Sequence, residues 1–157
     1  INPQFDAAYV FTEGLANVRI GGKWSFIDKQ GKMIINPQFD KASEFHEGLA
    51  SVRIGDEKTG KWGFIDKQGK MIINPQFDKT WGFHEGLAAV SIGDKWGFID
   101  KIGQVVITPQ FDAPWVFLGL ALLEFIDGLA PVQLGGKPGF IDKTGKWLLD
   151  PTCSGSR

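Results

Sequence analysis

Cysteine is nearly missing from this sequence, and so is tyrosine: one of each in 157 residues. The lone Cys153 excludes an internal disulfide framework and is compatible with any compartment. An excess of basic charge is missing too. The formal net charge is −1 and opposite charges are interleaved, so a phosphate backbone finds no basic stripe to hold. Nucleic acid is therefore not an expected partner. Long apolar runs are absent. The longest, Trp115–Leu123, is too short to span a bilayer, so membrane insertion is not expected. No leader peptide is visible. The chain opens in mid-motif at Ile1, as an excerpt or a mature product would.

What is present is equally lopsided. Thirteen Phe, six Trp and 21 Gly give many large apolar anchors among many chain-turning positions. That mixture points to short strands joined by tight turns, with enough apolar surface to fold. A single domain over residues 1–150 is expected, with 151–157 (PTCSGSR) as a loose tail.

The strongest signal is internal repetition. PQFD begins at Pro3, Pro37, Pro75 and Pro109, at intervals of 34, 38 and 34. EGLA begins at Glu13, Glu47 and Glu85, and returns as DGLA at Asp127. KWxFID begins at Lys23, Lys61 and Lys95, and returns as KPGFID at Lys137. Asp56–Gly60 lengthens one turn and accounts for the longer interval, while the last copy carries eight more residues between Asp112 and Asp127. Units of about 1–34, 35–72, 73–106 and 107–150 follow.

Local pattern gives the fold class. Ala16, Val18 and Ile20 alternate with Asn17 and Arg19, and the alternation recurs in every copy. Period two means a strand with one buried face. Trp24 and Phe26 share a face of a second strand. MIIN or VVIT supplies a third, which a following Pro ends because it cannot donate to a ladder. Gly21-Gly22 fits a two-residue hairpin, and Asp28–Gly31 fits a turn that starts on Asp and closes on Gly. The expectation is all-β: four tandem antiparallel meanders of about three strands each. The connectors FDAAYVF, FDKASEF, FDKTWGF and FDAPWVF fit either a helical turn or a brief fourth strand. One unit cannot bury enough surface to stand alone, so its Trp and Phe need the next copy to cover them.

GKWGFIDKQGK, with EGLA before it and PQFD after it, closely resembles the bacterial WG-repeat, or KWG-repeat, family. The likeness extends over nearly the whole chain. It implies an all-β, propeller-like tandem array with no general catalytic activity. A unit of this length is short for a four-stranded propeller blade, which needs about 40 to 50 residues. An open, solenoid-like or partly closed array is favoured, with a propeller-like ring as the alternative. Three departures stand out: Ser25 replaces the Gly of the first WG pair, Pro138 replaces the Trp of the last, and the fourth unit carries VFLGLALLEFI. Trp147 is expected to refill the space left by Pro138.

Candidate residues fall into columns. Trp24, Phe26, Trp62, Phe64, Trp96, Phe98 and Phe140 are expected in the repeat core rather than on a stacking platform. Trp81 and Trp115 lie in variable connectors and, with Phe117, Leu118, Leu120 and Leu122, form the candidate binding surface. Asp28, Asp66, Asp100 and Asp142 fit turn caps better than a cation site. Glu13, Glu47, Glu85 and Asp127 fit acceptors for a neighbouring unit's backbone. His46 and His84 fall in a column that Thr12 and Ile126 interrupt, which fits solvated side chains better than metal ligands. Equivalent carboxylates in equivalent copies do not divide into acid and base. The sequence therefore points to a protein that is not an enzyme and needs no cofactor or metal. A protein-binding repeat scaffold is the leading expectation; a glycan-binding module using Trp81 and Trp115 is the alternative.

Overall fold

The structure is a computed structural model that describes residues 4–114, 116–117, 120–121 and 123–149. The chain divides into two compact units, Ile1–Asp78 and Lys79–Arg157. In the first, β1 (Ala7–Ala8), β2 (Ala16–Ile20), β3 (Lys23–Ile27) and β4 (Met33–Phe39) form one sheet in that order. The strands β5 (Lys41–His46), β6 (Leu49–Ile54), β7 (Lys61–Ile65) and β8 (Met71–Phe77) form the next. In the second unit, β9 (Lys79–His84), β10 (Leu87–Ile92), β11 (Lys95–Ile99) and β12 (Val105–Phe111) form a third sheet. A small hairpin follows, β13 (Val116–Phe117) with β14 (Leu120–Ala121). The last sheet is β15 (Leu129–Leu134), β16 (Lys137–Asp142) and β17 (Trp147–Leu149). Every pairing is antiparallel, and none of the described residues is helical. Among the described residues no helix is long and apolar enough to cross a membrane.

The all-β array of meanders is what the sequence implied. The connector, left between a helical turn and a strand, is a strand at the edge of each of the first three sheets. The EG dipeptide explains why. Glu13 and Gly14 both have positive φ, 51° and 87°, so the chain reverses in two residues. Thr12 and Leu15 close the reversal with backbone bonds of 2.9 and 3.0 Å. Such a mirror-image turn matches strand twist and sends the connector back along β2.

Proline does not end the third strand, as its missing donor implied. β4 runs through Pro37 to Phe39. The ladder shows how: Trp24 pairs with Phe39 and Phe26 with Ile35, so Ser25 alone faces Asn36, Pro37 and Gln38. Pro37 sits in a bulge, where no ladder bond is asked of it. Gln38 secures the bulge by donating to the Asn36 carbonyl, 3.2 Å. Sheets two and three repeat this register. The bulge also explains the Gly of WG. A Cβ built on Gly63 would stand 2.7 Å from the Pro75 nitrogen and closer still to the Ile73 carbonyl. One on Gly97 would stand 2.6 Å from the nitrogen of Pro109. The WG and NPQF motifs are thus two halves of one strand crossing. Ser25 occupies this tight place in the first copy, fully buried, with no partner for its hydroxyl among the described residues.

The cores lie between sheets. In the first unit Trp24, Phe26, Ile35 and Phe39 point forward and meet Phe45, Ala50, Val52 and Ile65 of the next sheet. Phe26 and Phe45 meet edge-on, with centroids 4.8 Å apart. Ala16, Val18 and Ile27 face the other way and pack with Phe5 and Met33. The strands therefore bury both faces where one was expected: Leu49, Ala50, Ser51 and Val52 are all buried. In the second unit Trp96, Phe98, Ile107 and Phe111 meet Leu123, Phe125, Ala130, Val132 and Ile141.

Two expectations for the last copy are corrected. Phe140, placed in the core by its motif, is 42% exposed. Phe26 and Phe98 are each met by a Phe from the following connector, whereas no such residue meets Phe140 among the described residues. Trp147 does not refill the place of Pro138. It pairs with Ile141, whose side chain points backward, and its ring meets Phe111 of the preceding sheet edge-on at 5.7 Å. Pro138 and Phe140 are one residue out of step with Ile141 and so lie on the opposite face.

The strand crossing yields a paired prediction. Gly63→Ala forces the bulge outward and lowers stability by about 1–3 kcal/mol, the usual penalty of overpacking. Ser25→Gly relieves the same crossing and removes an orphan hydroxyl whose burial costs about 1–3 kcal/mol, against about 0.5–1 for the freer glycine. Its urea midpoint should rise. A fall with Ser25→Gly, or no change with Gly63→Ala, would refute the coupling of the two motifs.

Candidate functional site

The acids are where chemistry would be sought, and each column has a structural partner. The turn acids come first. A Glu at positive φ is uncommon, yet Glu13, Glu47 and Glu85 all adopt it, as does Asp127. The side chains of Glu13 and Glu85 reach the next repeat. Glu13 accepts the Gly48 N–H at 2.9 Å, and the Lys67 ammonium stands 3.4 Å away. Glu85 accepts the N–H groups of Asp127 and Gly128 at 2.5 and 2.8 Å, with the Lys143 ammonium at 3.2 Å. Within each unit the first left-handed turn thus clasps the second. Partial burial pushes the Glu13 carboxyl up, but the N–H groups of Gly48 and Glu47 and the Lys67 charge outweigh it, so the pKa falls below the ordinary value. The Gly128 N–H leads in lowering that of Glu85.

A second clasp uses the Asp of PQFD. Asp40 binds the Lys23 ammonium at 2.6 Å within its own strand pair and accepts the Gly55 N–H of the next sheet at 2.7 Å. Asp112 does the same with Lys95 at 2.9 Å and the Gly136 N–H at 3.1 Å. Lys61 holds Asp78. The lysines lead in lowering the pKa values of Asp40 and Asp112. The third column caps its own turns: Asp28 accepts the N–H groups of Gln30 and Lys32, both at 2.9 Å. Asp66, Asp100 and Asp142 repeat that pattern. Within a column the described members take like partners.

The histidines lie at the connector ends. The His84 Nε2 is 2.8 Å from a Glu124 oxygen in the following repeat, and the His46 Nε2 is 3.9 Å from Glu44. Among the described residues no three His, Cys, Asp or Glu side chains gather as a metal site.

The Trp column divides. Trp24 and Trp96 are buried, whereas Trp62 is half-buried beneath the Arg53 guanidinium, 6.0 Å above its ring. Phe64 and Phe98 are buried beside Phe26 in the strand column. On the connector edge, Trp81 is 37% exposed on β9. Trp115, Leu118 and Leu122 lie outside the described residues. Phe117 and Leu120 pair with each other across the β13–β14 hairpin. The insertion's far end, Leu123 and Phe125, is buried.

Sequence reasoning missed one cluster. Tyr9, 52% exposed, stacks on Trp24 with centroids 5.3 Å apart, and the Lys41 ammonium lies 4.6 Å over the Trp24 ring. Tyr9, Asn17, Lys41, Ala42, Ser43 and Glu44 line an open cleft of about 180 Å³. Asn17 donates to the Ala42 carbonyl at 2.8 Å, while its own carbonyl oxygen has no partner among the described residues. The signal was available in alignment: Tyr9 stands where the third copy has Trp81, and Asn17 where others have Ser51, Ala89 and Pro131.

A family model described as WG containing repeat matches residues 1–24, 24–57, 62–96, 96–137 and 139–155. No curated protein matches the chain. Among solved structures, one of a protein of unknown function from Bacteroides caccae is similar, at 14% identity and a TM-score of 0.45. The likeness covers 92% of this chain and 59% of that one, so this chain spans less than two thirds of that protein's length.

The clasps predict an acid response. Glu13, Glu85, Asp40 and Asp112 all have pKa values lowered by folding. Their contribution to stability is complete above the unfolded carboxylate range, near pH 4. It is lost as pH falls through the lower folded values. The thermal midpoint should therefore hold above that range and drop below it. Glu13→Gln with Glu85→Gln should make the drop shallower. An unchanged acid slope in the double variant would refute the clasp.

Proposed function

The chain belongs to the WG containing repeat family, and from that premise we propose that it is a non-catalytic repeat scaffold whose role is to bind protein. The observation that carries this reading is where the copies differ. Framework positions are nearly invariant from copy to copy, and their acids are occupied in turns and clasps. Variation gathers on the connector strands, where Tyr9, Ser43 and Trp81 share one position. Those connectors form an edge of each of the first three sheets. An edge strand offers backbone groups to an extended peptide, and side chains that change from copy to copy give such an edge its specificity. Catalysis forms no part of this reading, because divided acid and base roles need unlike environments and the columns provide like ones.

A second reading rests on the Tyr9 cleft. An exposed aromatic face beside Lys41, Ser43, Glu44 and the Asn17 amide suits one ring of a hydroxyl-rich glycan. It places that ligand on Tyr9 in addition to Trp81 and Trp115.

Two screens separate the readings. A displayed peptide library panned on the intact chain should yield binders that Trp81→Ala weakens at an unchanged thermal midpoint. A screen that yields none, or only binders indifferent to Trp81, overturns the scaffold reading. On a glycan array, binding abolished by Tyr9→Ala would establish the second reading, and a blank array would dismiss it.

A further inference from the structure

The cleft between the first and second copies is shaped by a bulge. On β5, Ala42 pairs with Val52 and Phe45 with Ala50, so Ser51 alone faces Ser43 and Glu44. On β9, Thr80 pairs with Val90 and Phe83 with Ala88, so Ala89 alone faces Trp81 and Gly82. A bulge at a sheet edge re-aims the side chains it carries. The first bulge position is aromatic in the other copies, as Tyr9, Trp81 and Trp115, and Ser43 is its small member. Ser43 lines the cleft of about 180 Å³, together with Glu44, Tyr9, Lys41, Ala42 and Asn17. Exposure belongs to this position and not to the start of the chain, because Trp81, in the third copy, is 37% exposed.

Size, wall and charge together give the cleft a chemical preference. Its volume suits one ring, since an apolar cavity of about 150 Å³ holds benzene. Its wall is the Tyr9 ring, stacked on Trp24 with centroids 5.3 Å apart and planes 2° from parallel. Its charge is a cation without a counter-ion. The Lys41 ammonium lies 4.6 Å over the Trp24 ring and 5.8 Å over that of Tyr9, and it pairs with no carboxylate among the described residues. The framework lysines of the same unit differ: Lys23, Lys61 and Lys67 are held by Asp40, Asp78 and Glu13. Contact with ring faces leaves an ammonium with N–H donors for a charged acceptor. Asn17, 3% exposed, donates to the Ala42 carbonyl at 2.8 Å, and its own oxygen has no partner among the described residues. Glu44, with the His46 Nε2 at 3.9 Å, is the opposing charge of the cleft.

We propose that this cleft binds one hexuronic acid residue of a carboxylated glycan, with Lys41 as the contact that selects the acid. The inference rests on the glycan reading of the cleft and names the sugar class. The pyranose ring lies against Tyr9, and its carboxylate takes the Lys41 ammonium. Its hydroxyls donate to Glu44 and to the Asn17 oxygen, and Ser43 exchanges a hydrogen bond with them. Glu44 works by exclusion as well, since it accepts hydroxyls and repels a second carboxylate, which fixes the direction of the ring. A bare anion such as phosphate brings no ring for Tyr9 and meets the Glu44 charge. The ion pair forms at an open cleft, so salt screens it and affinity falls as ionic strength rises.

Titration calorimetry of the intact chain tests it. The probes are trimers of galacturonic, glucuronic and mannuronic acid, each beside the same trimer with its carboxyls reduced to alcohols. At least one acidic trimer should bind more tightly than its reduced form, and more weakly as salt is raised. Lys41→Met keeps an apolar stem over Trp24. It should weaken the acidic trimer by about tenfold or more, the scale of one charge-assisted hydrogen bond, and leave the reduced trimer unchanged. Ser43→Trp puts at the cleft the residue that the third copy carries, and should abolish binding of both trimers at an unchanged thermal midpoint. Acidic and reduced trimers that bind alike, or a Lys41→Met variant with wild-type affinity, overturn the acidic assignment and leave the glycan reading standing. Binding that survives Ser43→Trp removes the ligand from this cleft and overturns the proposal. So does a chain that binds no trimer, and the glycan array then decides the reading beneath it.

Discussion

The structure depends on one contact made within each unit, a phenylalanine from an aromatic strand covered by a phenylalanine from the following repeat's connector. Phe26 under Phe45 and Phe98 under Phe125 bring two rings together edge to face, an arrangement that adds electrostatic attraction to apolar burial. Within each unit the second sheet completes the core of the first, so the folding unit is the pair and not the single sheet. That is why the motif repeats. It is also why both faces of the central strands are buried, although each strand alone alternates like a half-exposed one.

A second constraint acts inside each sheet. The NPQF segment carries extra residues opposite a single one on the aromatic strand, and the crossing leaves no room for a Cβ at Gly63 or Gly97. The bulge turns Phe77 and Phe111 back onto the face of Trp62 and Trp96, pairing an aromatic with an aromatic at the forward surface. Gly and Pro, which usually weaken a sheet, are here the two residues the crossing requires. The first copy tolerates Ser25 at this point, with its hydroxyl buried and unpaired.

The carboxylates follow from the same logic. The described columns of Asp and Glu are engaged by turn N–H groups of the following repeat, the lysine across the strand, and the Asp turn's own backbone. Strain at Glu13 and Glu85 is held by bonds from the following repeat, so register within each unit is fixed by polar clasps as well as by rings. The copies differ instead on the connector, where Tyr9, Ser43 and Trp81 replace one another while the framework stays constant.

By itself the sequence determined the strands, the two-residue turns and the repeat, because alternation and positive-φ glycines are local properties with local causes. It also placed most of the core, since Trp24, Phe26, Phe64, Trp96 and Phe98 sit on the face that parity assigns them. Only the tertiary structure decided that Pro37 lies within a strand, because a bulge is a relation between two strands and cannot be read from one. Only it decided that Phe140 is exposed while Phe26 is not. The two occupy the same motif, and burial depends on whether a following repeat brings a ring to cover it. The Tyr9 cleft was hidden for the same reason: its walls come from β2, β5 and the segment after β1, which adjoin only once two sheets have packed.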